Sequence, residues 1–172
     1  MKTIIVYYSL EGNAEYCAHR IQDRTGGELL RLIPRKDTPR SGIGKYLVGG
    51  FEASTGKKAD LQSITKDMND YDLIILGCPV WAGTYPPAVG TFLKDFPFHG
   101  KKLGIFACSK SGNAEKMIEK IEEERKDCET AAAVSLIEPR SNKDKCDPEL
   151  DAFADKLMAE PADQNDGGKT EA

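Results

Sequence analysis

An α/β fold with a parallel sheet sandwiched between helices on both faces is what this sequence predicts, and two observations predict it. Apolar, β-branched runs recur along the chain, "TIIVYY" at 3–8, "YDLIILGCPV" at 71–80 and "KLGIFACS" at 102–109. They lack the polar alternation of a half-exposed strand, as strands buried on both faces should. Between these runs, apolar residues recur at i, i+3, i+4 and i+7, the pattern of a helix with one buried stripe. Strands alternating with helices imply a parallel sheet wound by right-handed crossovers. A chain of 172 residues fits one such domain and is large enough to bury about 70% of its unfolded surface.

The elements follow in order. After the strand at 3–8, Ala14, Cys17, Ala18 and Ile21 line one helical face, and Gly26-Gly27 stops that helix. "ELLRLI" at 28–33 is the second strand, closed by Pro34. Ile43, Tyr46, Leu47 and Phe51 share a helical face behind Ser41, a good N-cap residue, which places a crossover helix at 41–54. The third strand, at 71–80, leads to a helix marked by Val89, Phe92, Leu93 and Phe96 and ended by Pro97. The fourth, at 102–109, leads to one marked by Ala114, Met117, Ile118 and Ile121. "TAAAVSLIE" at 130–138 is the fifth strand. Pro148 suits the start of the last helix, whose stripe is Leu150, Phe153, Ala154, Leu157 and Met158. Residues 1–160 thus form the domain. Residues 161–172 are polar and contain glycine, and are expected to be a disordered tail.

Composition narrows the function. The chain is 40% hydrophobic and 30% charged, in the range of soluble globular proteins. Its net charge of −4 gives no attraction to nucleic acid or to an anionic membrane. Part of that charge sits in the tail, where Asp163, Asp166 and Glu171 outnumber Lys169. No apolar run approaches the roughly 18 residues of a membrane span. The N-terminus enters "IIVYY" directly, too short and too soon polar for a signal peptide, so a cytoplasmic protein is expected. Cys17, Cys78, Cys108, Cys128 and Cys146 are odd in number and form no CxxC pair. Neither a disulfide framework nor a zinc site follows, and Cys17, Cys78 and Cys108 read as small core residues. His19 and His99 have no metal-binding or catalytic company. "GFEASTGKK" misses the phosphate-binding Walker spacing by one residue and places Lys58 where Ser or Thr is required. No GxSxG nucleophile motif occurs.

In an open parallel sheet, ligands bind beyond the carboxyl ends of the strands, where the winding direction reverses. Three strand-to-helix turns stand out there. Two of them repeat one motif, Ser-x-x-Gly-Asn-Ala-Glu, at 9–15 and 109–115. In the first copy, Gly12 allows close backbone approach, and the amides of the following helical turn suit an anion. Ser9 and Asn13 add polar side chains. The third turn, "CPVWAGTYPP" at 78–87, is stiffened by Pro79, Pro86 and Pro87. It carries the only tryptophan, Trp81, a ring suited to stacking on a flat ligand.

Over residues 1–158 the chain resembles the flavodoxin family, in its short-chain form. The resemblance rests on "YYSLEGNAE", "GCPVWAGTYPPAVGTFL" and "ACSKSGNAE", the middle segment being the most specific. It implies a flavodoxin-like five-stranded sheet in the order 2-1-3-4-5, non-covalent FMN, and one- or two-electron transfer. By position, Ser9, Leu10, Glu11, Gly12, Asn13 and Ala14 would wrap the FMN phosphate. Pro79, Val80, Trp81, Ala82, Gly83, Thr84 and Tyr85 would flank one side of the isoalloxazine, with Trp81 stacked on it. Cys108, Ser109, Lys110, Ser111 and Gly112 would line the other side. The first turn departs from the family pattern, with Glu11 and Ala14 at the third and sixth positions where hydroxyl residues are usual. The second copy, with Lys110 and Ser111, looks friendlier to phosphate. The first still ranks above it, because its strand abuts the reversal point. The expected function is electron transfer between redox partner proteins, with no catalytic side chain and no metal. Two alternatives stay open: an NAD(P)H-dependent quinone reductase, and a binding module of the same fold without FMN. The oligomeric state is left open.

Overall fold

Strands β1 (Thr3–Tyr7), β2 (Glu28–Arg31), β3 (Leu73–Pro79), β4 (Lys102–Ser109) and β5 (Glu129–Ile137) pair in parallel in the order β2-β1-β3-β4-β5. This is seen in a computed structural model, which describes residues 1–35 and 58–159. Four α-helices accompany them among the described residues: α1 (Asn13–Thr25), α2 (Pro87–Asp95), α3 (Glu115–Glu124) and α4 (Lys143–Met158). The expected helix at 41–54 and the expected tail lie outside the described residues.

Alternation along the buried strands divides the core in two. Ile4 and Val6 of β1 join Ile74 and Leu76 of β3 beneath Val89 and Phe92 of α2 and Met117 and Ile121 of α3. Ile5 and Tyr7 join Ile75 and Phe106 beneath Cys17 and Ile21 of α1 and Phe153 and Leu157 of α4. The middles of the central strands, Ile4–Tyr7, Leu73–Cys78 and Leu103–Cys108, carry no polar side chain but the Tyr7 phenol because both of their faces are covered. Cys17, Cys78, Cys108 and Cys146 are buried free thiols, and Cys128 is half-buried. None of the described helices is long and apolar enough to cross a membrane.

The last helix differs from the sequence expectation. Pro148 lies inside it rather than at its start. The amides of Lys145 and Cys146 already donate to the Asn142 carbonyl, and Cys146 is buried against the sheet. Packing of Cys146 thus sets the helix start ahead of the proline. Pro148 is exposed and forgoes one helical hydrogen bond, a loss easily borne near a helix start. Met158, expected in the stripe, is 37% exposed, and the stripe ends at Leu157.

Helices α1 and α4 are joined by polar contacts along their flank. Arg20 pairs with Asp147 and Asp151, and Arg24 with Asp151 and Asp155. The Tyr16 hydroxyl donates to Asp147 Oδ1 at 2.7 Å. Burial, then this bond to a carboxylate, pushes the Tyr16 phenol up to about 12 from 10.0. A phenol with a raised folded pKa binds its proton more tightly in the native state. Its contribution is whole below pH 10 and is lost as pH rises from 10 toward 12. Urea unfolding as a function of pH should therefore show a shallower alkaline loss of stability for Tyr16→Phe than for the wild type. An unchanged alkaline slope would refute this.

Candidate functional site

The chain leaves β1 toward β2 on one side and returns to β3 on the other, so the winding reverses between β1 and β3. Around the carboxyl ends of β1, β3 and β4 lies a cleft of about 430 Å³. The turn after β1 supplies Ser9, Leu10, Glu11, Asn13 and Ala14 to its wall, the turn after β3 supplies Pro79, Val80, Trp81, Ala82 and Gly83, and the turn after β4 supplies Cys108, Ser109, Lys110, Ser111 and Asn113. The three turns singled out by sequence therefore share one cavity. Gly12, Thr84, Tyr85 and Gly112 stand outside its lining.

The first turn has features that suit an anion. Ser9 is buried, and its Oγ accepts the Gly12 amide at 3.1 Å. Gly12, at φ 89°, is the N-cap of α1 and offers no side-chain cap. The amides of Asn13, Ala14 and Glu15 are left without helical acceptors, at the positive end of the helix dipole. Arg31 Nη2 donates to the Ser9 carbonyl at 3.3 Å, and Arg140 Nη1 donates to the Glu11 carbonyl at 2.8 Å. Across a planar trans peptide, the next amide points the opposite way from the carbonyl. Holding these carbonyls thus aims the Leu10 amide away from Arg31, while the Gly12 amide turns inward to Ser9 Oγ. Gly12 does permit a close approach, but by Arg140: a Cβ there would lie 2.8 Å from Arg140 Nη1.

The second turn is a rigid aromatic bracket. Trp81 and Thr84 exchange both backbone hydrogen bonds, at 2.8 and 2.9 Å. The residues between them have positive φ, 49° at Ala82 and 76° at Gly83, as in a type I′ turn. Trp81 is half-buried and packs edge-on against Tyr8, with centroids 5.6 Å apart. It thereby anchors the turn while facing the cleft. Thr84 and Tyr85 are the fastenings behind it. Lys120 Nζ donates to Thr84 Oγ1 at 3.1 Å, and the Tyr85 hydroxyl donates to the Glu124 carboxylate at 2.7 Å. Burial, with the Glu124 carboxylate, holds the Tyr85 phenol well above its ordinary value.

The third turn repeats the first and then diverges. Ser109 Oγ accepts the Gly112 amide at 2.8 Å, with Gly112 at φ 79°. One Ser-x-x-Gly motif has made one turn twice. After Gly12 the helix begins at once, at Asn13; after Gly112 it begins only at Glu115. Only the first copy brings fresh helical amides straight to the cleft wall. Asn113 is a lining residue that sequence reasoning missed. The repeat itself held the signal, since Asn113 is the counterpart of Asn13. The described residues contain no cluster of His, Cys, Asp and Glu able to hold a metal ion.

Comparison with protein families matches residues 2–147 to the flavodoxin family. Among curated proteins none matches. Among solved structures, a candidate flavoprotein from Bacteroides uniformis is 19% identical with a TM-score of 0.74, over 90% of this chain and 97% of that one. A Lactobacillus acidophilus flavoprotein solved in complex with FMN is 22% identical with a TM-score of 0.67, over 83% and 97%. Oxidised Flavodoxin 2 from Bacillus cereus is 22% identical with a TM-score of 0.55, over 91% and 97%. At these identities the structures establish the shared fold.

Proposed function

Since the chain belongs to the flavodoxin family, we propose that it binds FMN non-covalently in this cleft and passes electrons between redox partner proteins. One observation carries the proposal: an uncapped helix start and a tryptophan-bearing rigid turn face the same cavity. The first suits a phosphate and the second a planar ring. That a structural relative was solved with FMN supports the choice of flavin.

The residues present fit such a ligand. The amides of the turn at 9–14 would hold the phosphate, doing the work of the absent hydroxyls at Glu11 and Ala14. Trp81 and the backbone of Ala82 and Gly83 would hold one side of the ring system, and the turn at 108–113 the other. When bound, the flavin supplies one- and two-electron chemistry that side chains cannot. The protein's part is to position the ring, exclude water from one face, and set a low local dielectric that disfavours added negative charge. No side chain need act as acid or base.

Purified protein titrated with FMN should show a flavin visible spectrum with the protein, together with quenching of Trp81 fluorescence. The loaded protein should accept electrons from a flavodoxin reductase faster than from NADH or NADPH alone. Rapid direct reduction by a nicotinamide would instead identify a reductase. Failure to bind FMN would leave a binding module and end this reading.

A further inference from the structure

We propose that Arg140, on the turn between β5 and α4, is a positioning residue for the first turn and makes the cleft select the phosphorylated flavin over the unphosphorylated one. The inference rests on the FMN reading above and deepens it.

The contacts of Arg140 all converge on that turn. Its guanidinium donates to the Glu11 carbonyl at 2.8 Å, and its backbone amide donates to Asn13 Oδ1 at 3.2 Å. Its side chain fills the space that a Cβ at Gly12 would need. These contacts join residues 127 and 129 positions apart, so they dock the turn after β5 onto the turn after β1. The docking turn is held in an unusual shape. Glu138 has φ 44°, and its carbonyl accepts the amides of Ser141 and Asn142. A non-glycine residue at positive φ persists where surrounding contacts over-determine it. Here those contacts bring Arg140 against Gly12.

Charge distinguishes Arg140 from Arg31, the other arginine that holds a carbonyl of this turn. Arg31 also holds a turn carbonyl, but it pairs with Glu15 at 2.8 Å, which cancels most of its field. Arg140 has no carboxylate partner among the described residues. Its positive charge is therefore set directly behind the turn, against the Glu11 carbonyl. A phosphate dianion on the far side of the turn would feel that charge across the turn. A flavin without phosphate would not feel it.

The test compares FMN with riboflavin on the full chain, using Arg140→Met and Arg140→Lys, with dissociation constants from flavin fluorescence over a range of salt. Arg140→Met should weaken FMN by about tenfold and leave riboflavin within about twofold. It should also flatten the salt dependence of FMN binding. Arg140→Lys, which restores the charge, should recover most of the loss. Equal weakening of FMN and riboflavin would show a merely structural part and overturn the inference, as would unchanged FMN binding in Arg140→Met. Riboflavin binding by each variant reports that the cleft is intact. A wild type that binds neither flavin would be a different result: it would remove the FMN reading itself, and this inference with it.

Discussion

Replacing Gly77 with alanine should destabilise the protein by about 3 kcal/mol, at the upper end of the range for overpacking a core. In a chain of this size that lowers the melting temperature by about 6–12 °C. Gly77 pairs with Phe106 across β3 and β4, and the phenyl ring lies over the glycine. An added Cβ would sit 1.8 Å from Phe106 Cζ and about as close to two more ring carbons, at 2.1 and 2.2 Å. Phe106 is fully buried, so its ring has nowhere to turn. The backbone is equally confined: β3 lies between β1 and β4, and the Gly77 carbonyl accepts the Tyr8 amide at 3.0 Å. Gly26→Ala is the matched comparison. Its Cβ would meet nothing within 4 Å, and only its φ of 66° is strained, so the loss there should be about 1 kcal/mol. Chemical denaturation of the two variants measures the difference. Smaller damage in Gly77→Ala than in Gly26→Ala would contradict the packing described, whereas partial recovery in Gly77→Ala/Phe106→Leu would support it.

Gly12→Ala and Gly112→Ala should be alike in stability and unlike in ligand binding. Both positions have φ in the left-handed region, 89° and 79°, where alanine is strained by about 1–2 kcal/mol. At Gly112 the new methyl meets Ile137 Cδ1 at 3.1 Å, the movable end of a flexible side chain. At Gly12 it meets the Arg140 guanidinium at 2.8 Å and must displace either that side chain or the turn. If binding re-imposes the native turn, the strain reappears as a loss of FMN affinity of about tenfold or more. Gly112→Ala should change affinity by less than about threefold. Calorimetric titration of FMN into each variant decides. Equal losses would mean that the phosphate does not belong to the first copy of the motif.

The repeated motif also shows how far the sequence could be read. The strands were legible because Ile4 to Tyr7, Leu73 to Cys78 and Leu103 to Cys108 are apolar without a break, which happens when helices cover both sides of a strand. The cleft was legible because three turns with unusual composition follow those strands. What stayed hidden depends on contacts distant in sequence. Nothing near Arg140 in the chain indicates that it docks on Gly12, and nothing near Tyr85 indicates that Glu124 draws its hydroxyl out of the cleft. The start of α4 was obscured in the same way. Pro148 is a familiar opening residue, but the burial of Cys146 against the sheet outweighs that local preference. Identical local sequence after Gly12 and Gly112 likewise ends in helices of different onset, because the surroundings of the two turns differ.

The flank joining α1 and α4 bears on how the molecule is made. Its hydrogen bonds Tyr16–Asp147, Arg20–Asp151 and Arg24–Asp155 each link residues 131 positions apart. One layer of the sandwich therefore closes only when α4 has left the ribosome. Until then Cys17 and Ile21 have sheet beneath them but no neighbouring helix beside them. A nascent chain in this state offers a sticky, arginine-rimmed surface to chaperones. Because every arginine of the flank is on one helix and every aspartate on the other, a second nascent chain presents the same cations and is repelled. The vacancy is reserved for the chain's own α4, or for the α4 of a twin.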